Sequence, residues 1–198
     1  VLVDEDVPGA KVPRAFADNH AGGRLAAQHL IEAGHRRLAF LGGPRGLLST
    51  IERRAGFCEA VMEAGCRVVF ESFGDYAVAE GRSAARRVFS AADRATAVFA
   101  ASDATALGVL EAAREAGVAV PDALSIVAFD DAGPLHLLQP ALTAIRQPIA
   151  ELGRCGVAML VARIQGGPVP PEPARLPVEL VRRASVAPPH PKQGESVA

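Results

Sequence analysis

The apolar run SIVAF (125–129) stops on two adjacent carboxylates, Asp130 and Asp131. A strand that ends this way can supply a metal ligand set, a general acid and base, or acceptors for a polar ligand. Acid–base chemistry needs two carboxylates in unlike environments facing one bond, and neighbours on an extended chain point to opposite sides. A metal calls for further carboxylates or imidazoles at workable spacing, whereas His20, His29, His35, His136 and His190 are scattered. The reading that fits best makes Asp130 an acceptor for ligand hydroxyls and Asp131 the cap of the following turn, where Gly133 and Pro134 stand.

Other polar residues fall at comparable places. The loop GGPRG (42–46) has the glycines of a phosphate cradle but neither the Lys-Ser/Thr ending nor the three-glycine dinucleotide spacing. Its simpler reading is a strand-to-helix loop that uses Gly for geometry. Just beyond it come Ser49 and Arg53. Arg53 is either a surface charge or a forked donor that orients Asp130 and binds a hydroxyl. Tyr76 is the one tyrosine; it is either a core ring or a flat apolar face on which a sugar or base packs. No nucleophile–base pair or cofactor loop is visible, so no cofactor and no enzymatic activity are expected.

The elements that must position these residues announce themselves by punctuation. Glu-Ala-Gly occurs at 32–34, 63–65 and 115–117, each time between a helical pattern and an apolar run. Glycine closes a helix in the left-handed conformation without steric penalty. Helices are predicted over about 21–33, 50–64, 78–91, 103–116 and 149–165, from apolar spacings of three and four, with Ser102 or Asp103 capping the fourth. The runs LAFL (38–41), VVF (68–70), AVFA (97–100) and SIVAF (125–129) lack alternation, as strands covered on both faces do. The expected fold is therefore α/β, a doubly wound parallel sheet, and ligands in such sheets bind beyond the carboxyl ends of the strands. GGP, GDY (74–76), SD (102–103) and the two aspartates would converge on that rim. TAIRQP (143–148), the helix after it and a late edge strand LPVELV (176–181) suggest a second lobe, and VLVD (1–4) reads as a strand.

Bulk properties exclude several function classes. Twenty-two acidic against 21 basic side chains leave no electrostatic footprint for nucleic acid or an anionic membrane. Aromatic residues are 5% of the chain and tryptophan is absent, so base-stacking platforms are not expected. No apolar run reaches the ~18 residues that span a bilayer, and the first residues lack the pattern of a signal peptide. Cys58, Cys66 and Cys155 read as reduced thiols of a cytoplasmic protein, with a Cys58–Cys66 disulfide as the alternative.

A set of stretches in fixed order then carries a resemblance: DNHAGG (18–23), HLIEAGHRR (29–37), FLGGP (40–44), RRAGF (53–57), VFAASD (98–103), Gly108, VP (120–121), SIVAFDD (125–131), PALT (140–143) and RQP (146–148). Together they resemble the LacI family of bacterial transcriptional repressors over about residues 1–186. The resemblance implies a periplasmic-binding-protein-like fold of two Rossmann-like lobes with an effector cleft between them. By position it places ligand contacts at Ser49, Arg53, Tyr76, Ser102, Asp130 and Gln147, with Asp18 near the lobe boundary as a weaker candidate. Ser102 departs from the Asn common at its place and offers one donor hydrogen where an amide has two. Leu107, Leu137 and Leu138 would supply an apolar patch for a homodimer. The implied lobes are a partial amino-terminal one (1–35 and 148–174) and a complete carboxyl-terminal one (36–147 and 175–187), followed by a disordered tail (188–198). The family's helix-turn-helix, through which operator DNA would be bound, has no counterpart in the sequence, so the chain reads as a fragment. The expected function is effector sensing and dimerisation in a LacI-type repressor, the effector being a sugar or a nucleoside. A periplasmic-type sugar-binding protein of a transporter is the rival on the same fold.

Overall fold

A computed structural model of the protein describes residues 1–190. Two sheets share the chain. The larger, in the order β4-β3-β5-β6-β7-β9, contains β3 (Arg37–Gly42), β4 (Arg67–Phe73), β5 (Ala97–Ala100), β6 (Ser125–Asp130), β7 (Thr143–Arg146) and β9 (Glu179–Val181). All its pairings are parallel except β7 with β9. The smaller sheet is parallel throughout, in the order β1-β2-β8, from β1 (Leu2–Val3), β2 (Arg14–Ala17) and β8 (Ala174–Leu176).

Helices cover both faces of the large sheet, as the unalternating strands require. On one face lie α1 (Asn19–Glu32) and α2 (Leu48–Glu63), over a core that includes Leu38, Phe40, Phe57, Phe99 and Phe129. On the other lie α3 (Val78–Ser90) and α4 (Asp103–Glu115), over Leu41, Val98, Ile126 and Ala128. The three Glu-Ala-Gly exits behave as read: Gly34, Gly65 and Gly117 have φ of 99°, 65° and 65°.

Both helix pairs approach through glycine. A Cβ on Gly23 would lie 2.1 Å from the carbonyl oxygen of Arg53, and one on Gly56 would lie 2.0 Å from that of His20. The same device joins α3 to α4, where a Cβ on Gly81 or Gly108 would meet the carbonyl oxygen of Thr105 or Val78 at 2.2 or 2.0 Å.

Three differences from the sequence reading concern the small sheet. Residues 19–32 were expected with the small lobe, but α1 packs on α2 and on β5, β6, β7 and β9. Its buried face of Gly22, Gly23, Ala26 and Ala27 is flat enough to settle over Phe129 and Ile145. LPVELV is not one strand: β8 ends at Leu176 in the small sheet and β9 begins at Glu179 in the large one. Pro177, without an N–H, cannot continue a ladder, and the chain changes sheets there. Strand β2 carried no sequence signal, because RAFA is short and half alanine, a poor strand former.

Helix α5 (Ile149–Ile164) packs on β1 and β2 through Leu152, leaving Val157, Leu160, Val161 and Ile164 exposed. No described helix is long and apolar enough to cross a membrane. All three cysteines are free thiols, so the disulfide alternative is not realised. Of the tail expected to be disordered, 191–198 lie outside the described residues; before them, the Ser125 hydroxyl donates to the Ala187 carbonyl.

Candidate functional site

The chain crosses between the sheets three times: after β2 at Asp18, after β7 at Gln147 and Pro148, and at Pro177 between β8 and β9. Beside these crossings the loops following β3, β4, β5 and β6 gather, as the carboxyl-end rule for open sheets requires. Ser49, Arg53, Tyr76, Ser102 and Asp130 line one cavity of about 460 Å³. Gln147 lines an adjoining cavity of about 420 Å³, which shares Asp4, Asp130 and Ala132 with the first. Six of the seven residues proposed from sequence thus come together. Asp18 does not join them: its carboxylate accepts the Ala21 N–H at 3.0 Å and caps α1.

Arg53 is the pivot. It is 3% exposed, so the surface-charge alternative falls. Its Nε donates to Asn19 Oδ1 at 2.8 Å and its Nη1 to the Ala101 carbonyl at 2.6 Å. Nη1 also stands 3.4 Å from Asp130 Oδ1, and the guanidinium lies 3.7 Å above the Phe129 ring. A buried cation persists only when its donors are matched in this way. The fork can match three acceptors held by α1, the residue after β5, and β6 because it is planar and rigid.

Asp130 accepts from Gln147 Nε2 at 2.7 Å. Burial raises its pKa to about 6; Arg53 and Gln147 oppose the rise, and Asp103 and Asp4 add to it. Tyr76 donates to or accepts from Thr50 Oγ1 at 2.8 Å. Its ring lies against Gly43, where a Cβ would come within 2.1 Å of it. The second glycine of GGPRG therefore makes room for an aromatic ring, not for a phosphate. Ser102 caps α4, accepting the Thr105 N–H at 3.1 Å.

Asp131 does not cap its turn. The N–H groups of Asp131, Ala132 and Gly133 all donate to the Asp103 carboxylate, at 3.1, 2.9 and 2.9 Å. Asp131 points the other way, with its side chain 3% exposed and paired with Arg146 and Arg183 at 2.7 and 2.8 Å. Burial pushes its pKa up, but the two guanidinium groups outweigh burial and hold it below the usual range. The adjacent acids thus point apart and do different work.

Sequence reading missed Asp4 and Glu5, which reach the cavity from the end of β1. Burial raises the pKa of Asp4, Arg53 opposes the rise and Glu5 adds to it. Glu5 accepts the Leu48 N–H and the Ser49 hydroxyl, both at 2.7 Å, and so caps α2 from the other sheet. The signal was present, since VLVDED repeats the grammar of SIVAFDD: an apolar strand that stops on acids. The backbone marks the same place. Among the described residues, the non-glycine residues with positive φ are Asp4, Tyr76, Asp130 and Asp131, at 71°, 64°, 102° and 53°. Such conformations cost about 1–3 kcal/mol each and collect where a binding geometry is imposed.

Of the apolar patch expected at a dimer contact, Leu137 is 73% exposed, while Leu107 and Leu138 pack partly into the core of the large sheet.

Comparison with known proteins adds an independent finding. Residues 27–186 match the family described as a periplasmic binding protein-like domain. The chain is 38% identical over 175 residues to the HTH-type transcriptional regulator CelR of Thermobifida fusca, a match covering 87% of this chain and 51% of that protein. A crystal structure of a LacI family transcriptional regulator from Enterococcus faecium with bound ribose superposes with a TM-score of 0.86 at 30% identity, covering 95% of this chain and 70% of that one. A dimeric Lac repressor with an 11-residue C-terminal deletion superposes with a TM-score of 0.83 at 30% identity, covering 89% and 64%. The chain spans about half the length of the curated relatives it matches.

Proposed function

The chain belongs to the LacI family of transcriptional regulators through its periplasmic-binding-protein-like domain, and from that membership we propose that the cavity around Arg53 and Asp130 holds the small-molecule effector of a repressor. The observation that carries this is the buried Arg53–Asp130 pair, set between two sheets with Tyr76 beside it. A polyhydroxylated ring is held by such a set: hydroxyls meet the charged edge and an apolar face meets the ring. A sugar is the effector class we favour; the Enterococcus faecium relative carries ribose. Effector bound between the sheets fixes their relative orientation, and operator affinity in the whole regulator changes by the coupling between the two sites, typically ~1–3 kcal/mol. Operator DNA would be bound outside this domain, and the domain acts as a cytoplasmic sensor with no catalytic step of its own. The lobes we propose are the small sheet with α5, and the large sheet with α1–α4.

Asp130→Asn tests the reading. The amide keeps the shape of the carboxylate but loses one acceptor and the charge. Effector affinity is expected to fall by about 100-fold, the scale for removing one partner of a charged hydrogen bond, with the melting temperature within a few degrees of wild type. Wild-type affinity is also expected to decline as pH drops below about 6, where Asp130 takes up its proton and ceases to be a pure acceptor. Stability runs the opposite way: the folded pKa lies above the unfolded one, so this group's contribution is full at low pH and is lost as pH rises through 6. Calorimetry at pH 5.5 and 7.5 reads the first effect. Undiminished binding by Asp130→Asn rejects the assignment.

The Lac repressor that superposes on this chain is dimeric, and we propose that this chain also dimerises, through the surface around Leu137. Leu137→Glu is expected to convert a dimer to a monomer in sedimentation without lowering the melting temperature, because this side chain is mostly in solvent. Leu107→Glu would damage the core as well, so its effect on assembly would not be separable from its effect on folding.

A further inference from the structure

The cavity is unevenly charged. Asp4, Glu5, Asp103 and Asp130 line it, and Arg53 is the one base among the described lining residues. The helix amino termini, where an anion would ordinarily settle, are already taken. The amino terminus of α2 is a natural anion seat, but Glu5 occupies it through the Leu48 N–H and the Ser49 hydroxyl. The amino terminus of α4 carries Ser102 as its cap and Asp103 in its first turn. Arg53 gives Nε to Asn19 and Nη1 to the Ala101 carbonyl and Asp130, and the Asp130 carboxylate already offsets its charge.

What remains unspent is acceptor capacity. Asp130 meets Gln147 and Arg53 through Oδ1, leaving Oδ2 without a donor among the described residues. Gln147 is 8% exposed, and its Oε1 is buried without a partner among the described residues. A buried acceptor left unmatched costs about 1–3 kcal/mol, and a ligand hydroxyl relieves that cost where a phosphate oxygen cannot. Asp4 stands on the opposite sheet from Asp130 and lines both cavities with it. A ligand reaching both acids must therefore bring donors to each end.

Resting on the reading of this cavity as the effector site, we propose that it takes uncharged, hydroxyl-rich molecules and is closed to those bearing a phosphate or a carboxylate, with Glu5 as the residue that sets the exclusion. Glu5 does so by holding the chain's own carboxylate on the α2 amino terminus. An anionic ligand must either displace it or lie among four acids. Like-charge juxtaposition of this kind costs several kcal/mol.

The test pairs neutral sugars with their anionic counterparts on the 198-residue chain: ribose with ribose 5-phosphate, glucose with glucose 6-phosphate, and cellobiose with cellobionate, each titrated by calorimetry. The expected result is saturable binding of at least one neutral member and binding at least about 100-fold weaker by its anionic partner. Glu5→Gln keeps the length and the acceptor for the Leu48 N–H but removes the charge, and the gap is expected to shrink to about ten-fold or less. Asp4→Asn, which touches no helix terminus, is expected to narrow it in part and serves if Glu5→Gln fails to fold. An anionic partner binding as tightly as the neutral sugar overturns the charge selection and leaves the effector cleft standing. A gap unchanged in both variants overturns the role given to these acids. No saturable binding by any of the six overturns the selection together with the sugar-effector reading beneath it.

Discussion

Gly23→Ala is expected to destabilise the protein by about 3–5 kcal/mol, at the upper end of what a single added methyl does. The added carbon would lie 2.1 Å from the Arg53 carbonyl oxygen and 2.9 Å from the Phe57 nitrogen. Both are backbone atoms of α2, so no side chain can swing aside, and α1 and α2 must separate. Their separation opens the layer that holds Phe57, Phe99 and Phe129, whose tilted rings pack with centroids 5.2 and 6.2 Å apart. It also moves Arg53, so effector affinity falls with stability. Against a total typical of domains, about 5–15 kcal/mol, the loss is large enough to leave a measurable unfolded fraction. Urea denaturation reads it directly. Gly153→Ala on α5 is the control: a Cβ there meets nothing within 4 Å, and better helix propensity is expected to raise stability by about 0.5–1 kcal/mol. Equal midpoints for the two variants would refute the close packing of α1 on α2.

Arg53→Ala is expected to abolish effector binding and also to cost about 3–5 kcal/mol of stability, the scale for removing one member of a buried charged network. Truncation strands Asn19 Oδ1, the Ala101 carbonyl and Asp130, and removes the cation from the Phe129 face. Truncating an exposed rim residue, which carries few core contacts, would cost binding and leave the fold intact. Burial of Arg53 changes that. Lysine is not a rescue, because one ammonium cannot reach three acceptors fixed in the plane of a fork. The contrast with Asp130→Asn is the useful measurement. Both lose the ligand in calorimetry, while only Arg53→Ala shifts the urea midpoint strongly. If Arg53→Ala unfolds at the wild-type midpoint, the guanidinium is not the joint between α1, β5 and β6.

The local signals in the sequence were sufficient for β3 to β6 of the large sheet and pointed to most of the candidate site. Unbroken apolar runs mark doubly covered strands because both faces must exclude water, and the glycine after each Glu-Ala pair marks a helix exit because a left-handed residue is needed there. Ser49, Arg53, Tyr76 and Asp130 were nameable because strand ends and loops are where a parallel sheet exposes polar groups, whereas Ser102 and Gln147 came as ligand contacts only from the resemblance to the family. The tertiary structure alone decided what Asp131 does: it turns away to Arg146 and Arg183 while Asp103 takes the N–H groups of the turn, because the side a residue faces is fixed by backbone angles at the strand end, and Asp130 and Asp131 both adopt positive φ there. It decided that α1 covers the large sheet, because that depends on the fit of two glycine faces far apart in sequence. It also brought Glu5 to the head of α2 across 43 positions. VLVDED signals a strand ending on acids but not what Glu5 meets, because a carboxylate and a bare helix terminus carry no mark of each other until the fold sets them together.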